Sequence, residues 1–344
     1  MKKSAWKALI TVAIIAVIPG LLSNHSNSQP HYLISQARPK AQLIYTLKAH
    51  KDRVTELVIS SDGKKLVSGS RDGTIKVWNL STGKVLHTIS ASSEGIESIV
   101  VNPNGQIVVS GDIDSTIKLW NLYTGKLICI LKGHSLPIEE VVISPDGRTL
   151  VSGSDDRTIK VWNLYSRKLL YTLKGHADYI SSLAISPNGK FLVSGNGSSA
   201  NEHIKIWNLS TGKLLHTLKH QPVVASLEIT PDNKTLISGG FGQLIDKENS
   251  INTIKLWDLD TGKLLRDFEE NSSSVTSLVL TPDGKTLICG DFNGKIKFWN
   301  WRTGKLLLTL SGGNSVVESV FASRDGKMLA SSSENIIRVW RLSI

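Results

Sequence analysis

Two stretches of this 344-residue chain carry a histidine, a serine, an aspartate and a tryptophan at matching intervals: His50, Ser68, Asp72 and Trp78, then His134, Ser152, Asp156 and Trp162. A third stretch keeps three of the four types, as His176, Ser194 and Trp207. His, Ser and Asp are the side chains of a hydrolase triad, in which imidazole takes the hydroxyl proton and carboxylate orients the imidazole. The setting argues against that chemistry. A nucleophile elbow places Gly-x-Ser-x-Gly on a strand-to-helix turn, and these serines sit inside strand-like runs such as KLVSGS. The set also decays along the chain: Ser92 stands at one His position, Asn271 and Asn293 at a later His and Asp, and Gly313 at the last His. No catalytic residue is expected.

Metal and cofactor chemistry fare no better. His216 and His220 lie four apart on a strand and a loop, so they share no helix face. Cys129 and Cys289 are the only cysteines; they exclude a disulfide framework and a four-cysteine metal site, and read as two isolated core thiols. The glycine-rich strings GGFG at 239–242 and GNGSS at 195–199 open no helix, so they do not read as phosphate loops. No cofactor and no metal is expected.

These residues hang on a repeating frame. Tryptophan recurs at 78, 120, 162, 207, 257, 299 and 340, in strings such as IKVWN, IKLWN and IRVWR. Self-similarity at that period marks a repeat architecture. Within one copy, short β-branched runs (VTELVIS, KLVSGS, TIKVWNL, VLHTIS) alternate with Asp-Gly and Thr-Gly turns, which is hairpin chemistry. Each copy therefore reads as a four-stranded antiparallel meander. Such a unit cannot bury two faces alone, so neighbours must stack radially. The fold class is all-β: a seven-bladed β-propeller over residues 41–344. An orphan strand, Gln42 to Leu47, precedes the first copy, while the last copy stops just after Trp340. That orphan strand is expected to complete blade seven and shut the ring.

The repeats resemble the WD-repeat family. The resemblance is carried by Gly133-His134, Gly175-His176, Trp257-Asp258 and the LVSGSxDxTIKVW string. It implies that the His, Ser, Asp and Trp sets are structural hydrogen-bond chains tying an inter-blade loop to the inner hairpin. It also implies a non-catalytic scaffold that binds protein or peptide partners through the top face. Blades that lack the set are expected to be locally softer.

By the family's geometry, the top face presents Arg53 and Arg71 at blade one, Glu97, Glu139 and Asp155 at blades two and three, and Tyr179, Val223, Leu244 and Phe292 around blades four to six. These nine are the candidate partner-binding residues, an apolar anchor flanked by charge. Loops 195–203 and 239–252 depart from the repeat on that same rim. The inner strands carry Glu56, Glu97, Glu139, Glu140, Glu228 and Glu318 but no His or Arg, which leaves a small ligand, sugar or cation in the central channel as the alternative.

The net charge is +11, from 40 Lys and Arg against 29 Asp and Glu. Five of those cations and no acid fall in residues 1–40, so the repeats are only mildly basic and no nucleic-acid partner is expected. Residues 1–22 combine Lys2, Lys3 and Lys7 with an apolar run from Ala8 to Leu22, read as a signal peptide or signal-anchor. Residues 23–40 read as a polar tether. The sequence thus predicts an exported or membrane-tethered, monomeric ring, with turn lysines on the bottom face available to an anionic membrane surface.

Overall fold

The computed structural model describes residues 39–197, 203–219, 223–241, 254–268 and 274–343. The apolar run Ala8–Leu22, Leu244 and most of the two long loops lie outside the described residues.

Seven four-stranded antiparallel sheets make up the ring, six in simple meander order and the seventh combining the last three strands with the first. Blade one shows the logic. Its strands are Val54–Ile59, Lys65–Ser70, Thr74–Asn79 and Lys84–Ser90, inner to outer. The turns between them demand positive φ at Gly63, Gly73 and Gly83, at 66°, 78° and 67°, a conformation that glycine adopts without penalty. No helix occurs among the described residues, and none there is long and apolar enough to cross a membrane. In blade seven the outer place is taken by the strand Lys40–Lys48, antiparallel to Ile336–Ser343.

The apolar core is not central. It divides into seven clusters, and each joins two neighbouring blades. Val67, Ile75 and Val77 of blade one pack with Ile96, Ile99 and Trp120 of blade two; Val54 and Leu57 of blade one pack with Ala330 and Ile337 of blade seven. The second strand of six blades places a glycine at the tightest contact. A Cβ built on Gly153 would come 2.5 Å from Ile180 Cγ2 of the next blade. Side chains project from the second strand toward the neighbour, and only hydrogen fits there.

Every outer strand also breaks register once beside the third strand. In blade one Trp78 faces Val85 and Val77 faces His87, which leaves Leu86 bulged. Bulges twist an edge strand away from further pairing.

Candidate functional site

The three histidine sets are wired as buried chains. In blade three, Trp162 Nε1 donates to Ser152 Oγ at 3.0 Å, Ser152 Oγ lies 2.8 Å from His134 Nε2, and His134 Nδ1 lies 2.8 Å from Asp156. Blade one repeats this with Trp78, Ser68, His50 and Asp72 at 2.9, 2.7 and 3.2 Å. Blade four has the first two links, Trp207 to Ser194 at 2.9 Å and Ser194 to His176 at 2.6 Å, and leaves His176 Nδ1 buried without a partner. Burial drives these imidazoles toward neutrality, His50 to about 4 and His176 to about 3. Ser68, Ser152 and Ser194 are each 0% exposed. Their hydroxyls are closed off from solvent and engaged by the indole and imidazole on either side.

Blades two and six hold a replacement that sequence reasoning missed. Where blade one has Ser70, blade two has Asp112 and blade six has Asp291. Lys118 Nζ pairs with Asp112 at 2.5 Å and with Asp114 at 2.7 Å; Lys297 pairs with Asp291 at 3.4 Å. Both blades lack the histidine. A charged tie across the same hairpin stands in its place. Cys129 also departs from expectation. It lies half-buried on an outer strand, whereas Cys289 is a core residue, and both are free thiols.

The outer strands tie the blades together in a way the sequence reading overlooked. Tyr45 and Tyr171 donate their hydroxyls to Ser81 O and Leu209 O of the following blade. His87 Nε2 and His216 Nε2 contact Leu122 O and Asp260 O at 2.9 and 2.7 Å. The signal was the recurrence of Tyr or His at one repeat position.

Around the upper mouth of the ring, predicted residues from several blades come together. Arg71 pairs with Glu97 at 2.7 Å, and Arg53 pairs with Glu318 of blade seven at 3.4 Å. Glu139 and Asp155 share a hydrogen bond, and burial together with Asp155 and Glu97 pushes Glu139 up to about 7. Two neighbouring carboxyls disfavour each other's ionisation, and Asp155 is raised as well. Tyr179 stands beside that pair, its hydroxyl pKa raised by burial and by Glu139. Its ring lies where a side chain on Gly197 would have to go. Phe292 is 44% exposed on blade six, and Val223 is half-buried on blade five. Thr55 and Ser181 are engaged with backbone oxygens of the next blade, Ile96 O and Val224 O, at 3.0 and 2.6 Å.

Below the mouth, all seven inner strands line a cavity of about 530 Å³. Glu56, Glu140 and Glu228 face it. Glu56 accepts from Ser98 Oγ and Ile99 N, both at 2.7 Å, and Glu228 from Leu280 N at 3.2 Å. Desolvation raises Glu56 and Glu228 to about 7 and Glu140 well above the carboxylate range. Arg324, from a turn of blade seven, also lines this space, a cation absent from the inner strands themselves. Among the described residues no group of three or more His, Cys, Asp or Glu could hold a metal ion.

Comparison with known proteins agrees with this architecture. Residues 137–343 match the family model of the IFT122 first beta-propeller, and residues 41–79 and 83–121 match the WD domain, G-beta repeat. A relative, an uncharacterized WD repeat-containing protein L84 of Acanthamoeba polyphaga mimivirus, is 34% identical over 62 residues, 18% of this chain and 46% of its own length. The chain thus spans about half the length of that curated relative. Seven four-stranded blades, a tryptophan in every third strand and a match covering more than half the sequence lead to one conclusion: the chain belongs to the WD-repeat β-propeller family.

Proposed function

We propose that the protein is a non-catalytic scaffold that binds a protein or peptide partner through its top face. The observation that carries this reading is the upper mouth itself. Arg71 and Arg53 stand 44% and 40% exposed beside partly covered glutamates, next to the Glu139–Asp155 pair and Tyr179. Charge around a half-exposed aromatic on a rigid rim is what a docking peptide uses for register and anchorage. In this reading the ring is monomeric, held shut by Lys40–Lys48 on Ile336–Ser343, and exported or tethered through residues 1–22.

The test is cross-linking in the source membrane fraction followed by mass spectrometry, with wild type against Arg71→Glu and Glu139→Lys. Loss of the same partners from both variants is the expected result; an unchanged partner set overturns the proposal. The N-terminal mass of the recovered protein reports the tether at the same time.

A second reading has its own observation. The channel's Glu140 carboxyl and its companions Glu56 and Glu228 suit a small hydroxylated ligand. A melting temperature indifferent to sugars removes it.

A further inference from the structure

The lower outer rim carries a pattern that the top-face reading does not use. The turns between third and outer strands end in Lys84, Lys126, Lys168, Lys213, Lys263 and Lys305, one per blade in blades one to six. All six are exposed, and none forms an ion pair among the described residues. Acids enter this ring of turns only at Asp258 and Asp260 of blade five. The aspartates of the other set of bottom turns, Asp62 and Asp146 for example, each have a basic neighbour in the same turn, Lys64 and Arg148, that offsets their charge. The lower outer rim is therefore cationic nearly all the way round.

Two aliphatic residues follow each of those lysines, and beside the bulge both stand exposed in blades one, three, four and five, while in blades two and six only the first does. Val85 and Leu86 are 44% and 50% exposed, and Leu169 and Leu170 are 43% and 52%. An unbroken strand would hide one of each pair, because successive side chains point to opposite faces. At the tips of two of the same turns, Tyr165 is 72% and Tyr123 54% exposed. Tyrosine at the turn tips, lysine at the turn ends and aliphatic side chains just above them together make the composition of a lipid–water interface, where ammonium groups meet phosphates and amphipathic rings sit at headgroup depth.

We propose that this rim rests on an anionic lipid surface, so that the ring lies bottom-down and turns its top face away from the membrane. Repetition around the ring favours a flat, extended anionic partner over a single peptide, which would need the pattern at one blade only. The placement of the first strand agrees. Lys40, at its start, pairs with Ser343 on this side of blade seven, and the apolar run Ala8–Leu22 ends 18 residues upstream. The inference extends the tethered reading above, and its test separates the two.

The experiment uses the full chain with vesicles of phosphatidylcholine alone or with about one-third phosphatidylglycerol, read by amide hydrogen exchange and co-sedimentation. Exchange in turns 79–86, 121–128 and 163–170 is expected to slow several-fold on anionic vesicles only, with the top-face segment around Tyr179 unchanged. A variant with Lys84, Lys126, Lys168 and Lys213 changed to Gln is expected to lose the anionic preference by about tenfold or more. Tyr123→Ser with Tyr165→Ser is expected to weaken the part of binding that survives high salt. The apolar run is common to all variants, so differences among them report the ring. Turn protection that is the same on both vesicles, a Lys→Gln variant with wild-type preference, or turns protected by a polyglutamate peptide and not by vesicles overturns the proposal. Arg71→Glu, which tests the top face, is expected to leave lipid binding intact.

Discussion

At the residue scale the informative position is the buried acceptor of the tryptophan N–H. In six blades a serine fills it; Trp120 donates to Ser110 at 3.2 Å in blade two and Trp257 to Ser238 at 2.8 Å in blade five. Blade six has Cys289 there, and buried Trp299 Nε1 has no oxygen acceptor and faces only that thiol. Blade two, which also lacks the histidine and also carries an Asp–Lys pair, shows what a serine does in such a place. Cys289→Ser is therefore expected to stabilise the fold by about 1 kcal/mol, visible as a higher denaturation midpoint in urea. An unchanged or lower midpoint would mean that the sulfur fills volume the smaller oxygen cannot. The tryptophan, serine and histidine positions were legible in the sequence because period and type recur together. Lys118 with Asp112 was not, because an Asp ahead of a hairpin turn reads as ordinary turn chemistry until the lysine six residues on is seen folded back upon it.

At the scale of elements, strand order and turn positions followed directly from the alternation of β-branched runs with Asp-Gly and Thr-Gly. The register breaks of the outer strands did not, since a bulge changes pairing without changing composition. The glycine of the SGS string is a middle case: it was visible as a recurrent letter, but its reason is the approach of the next blade. Gly153→Ala sets a methyl 2.5 Å from Ile180 Cγ2, and overpacking of this kind costs about 1–3 kcal/mol. A drop of several degrees in the melting temperature is the expected outcome, with Ile180→Val in the same chain restoring part of it. No rescue by the smaller partner would show that the backbone, and not the side chain, takes up the clash.

For the whole molecule, the channel sets a pH dependence. Burial pushes the Glu56, Glu139 and Glu228 carboxyls up to about 7 when folded, and Glu140 well above its ordinary 4.5. Groups whose folded pKa is raised lend stability below the unfolded value and lose it as pH climbs through the folded one. Their contribution should fall between about pH 4.5 and pH 7. The buried His50 and His176 act in the opposite sense: their folded pKa values are depressed, and their share is lost as pH drops below about 6.5. Glu140→Gln isolates the first effect. Its gain in melting temperature over wild type should be larger at pH 8 than at pH 5, and an equal gain at both would place a neutral carboxyl in the channel at either pH. Charge facing the channel was readable from the sequence, whereas its neutralisation was not, because it depends on how tightly seven inner strands converge.

The seven inter-blade clusters carry one more consequence. In a linear stack of repeats the terminal units have one neighbour and melt first, so such arrays fray. Here each blade has two neighbours, and no blade is terminal. The array obeys a periodic boundary condition: releasing any single blade breaks two contacts at once, and the six that remain become an open chain with ends. Partial unfolding is then dearest at its first step and cheaper afterwards, which is the arithmetic of an all-or-none transition in an object built from nearly independent parts.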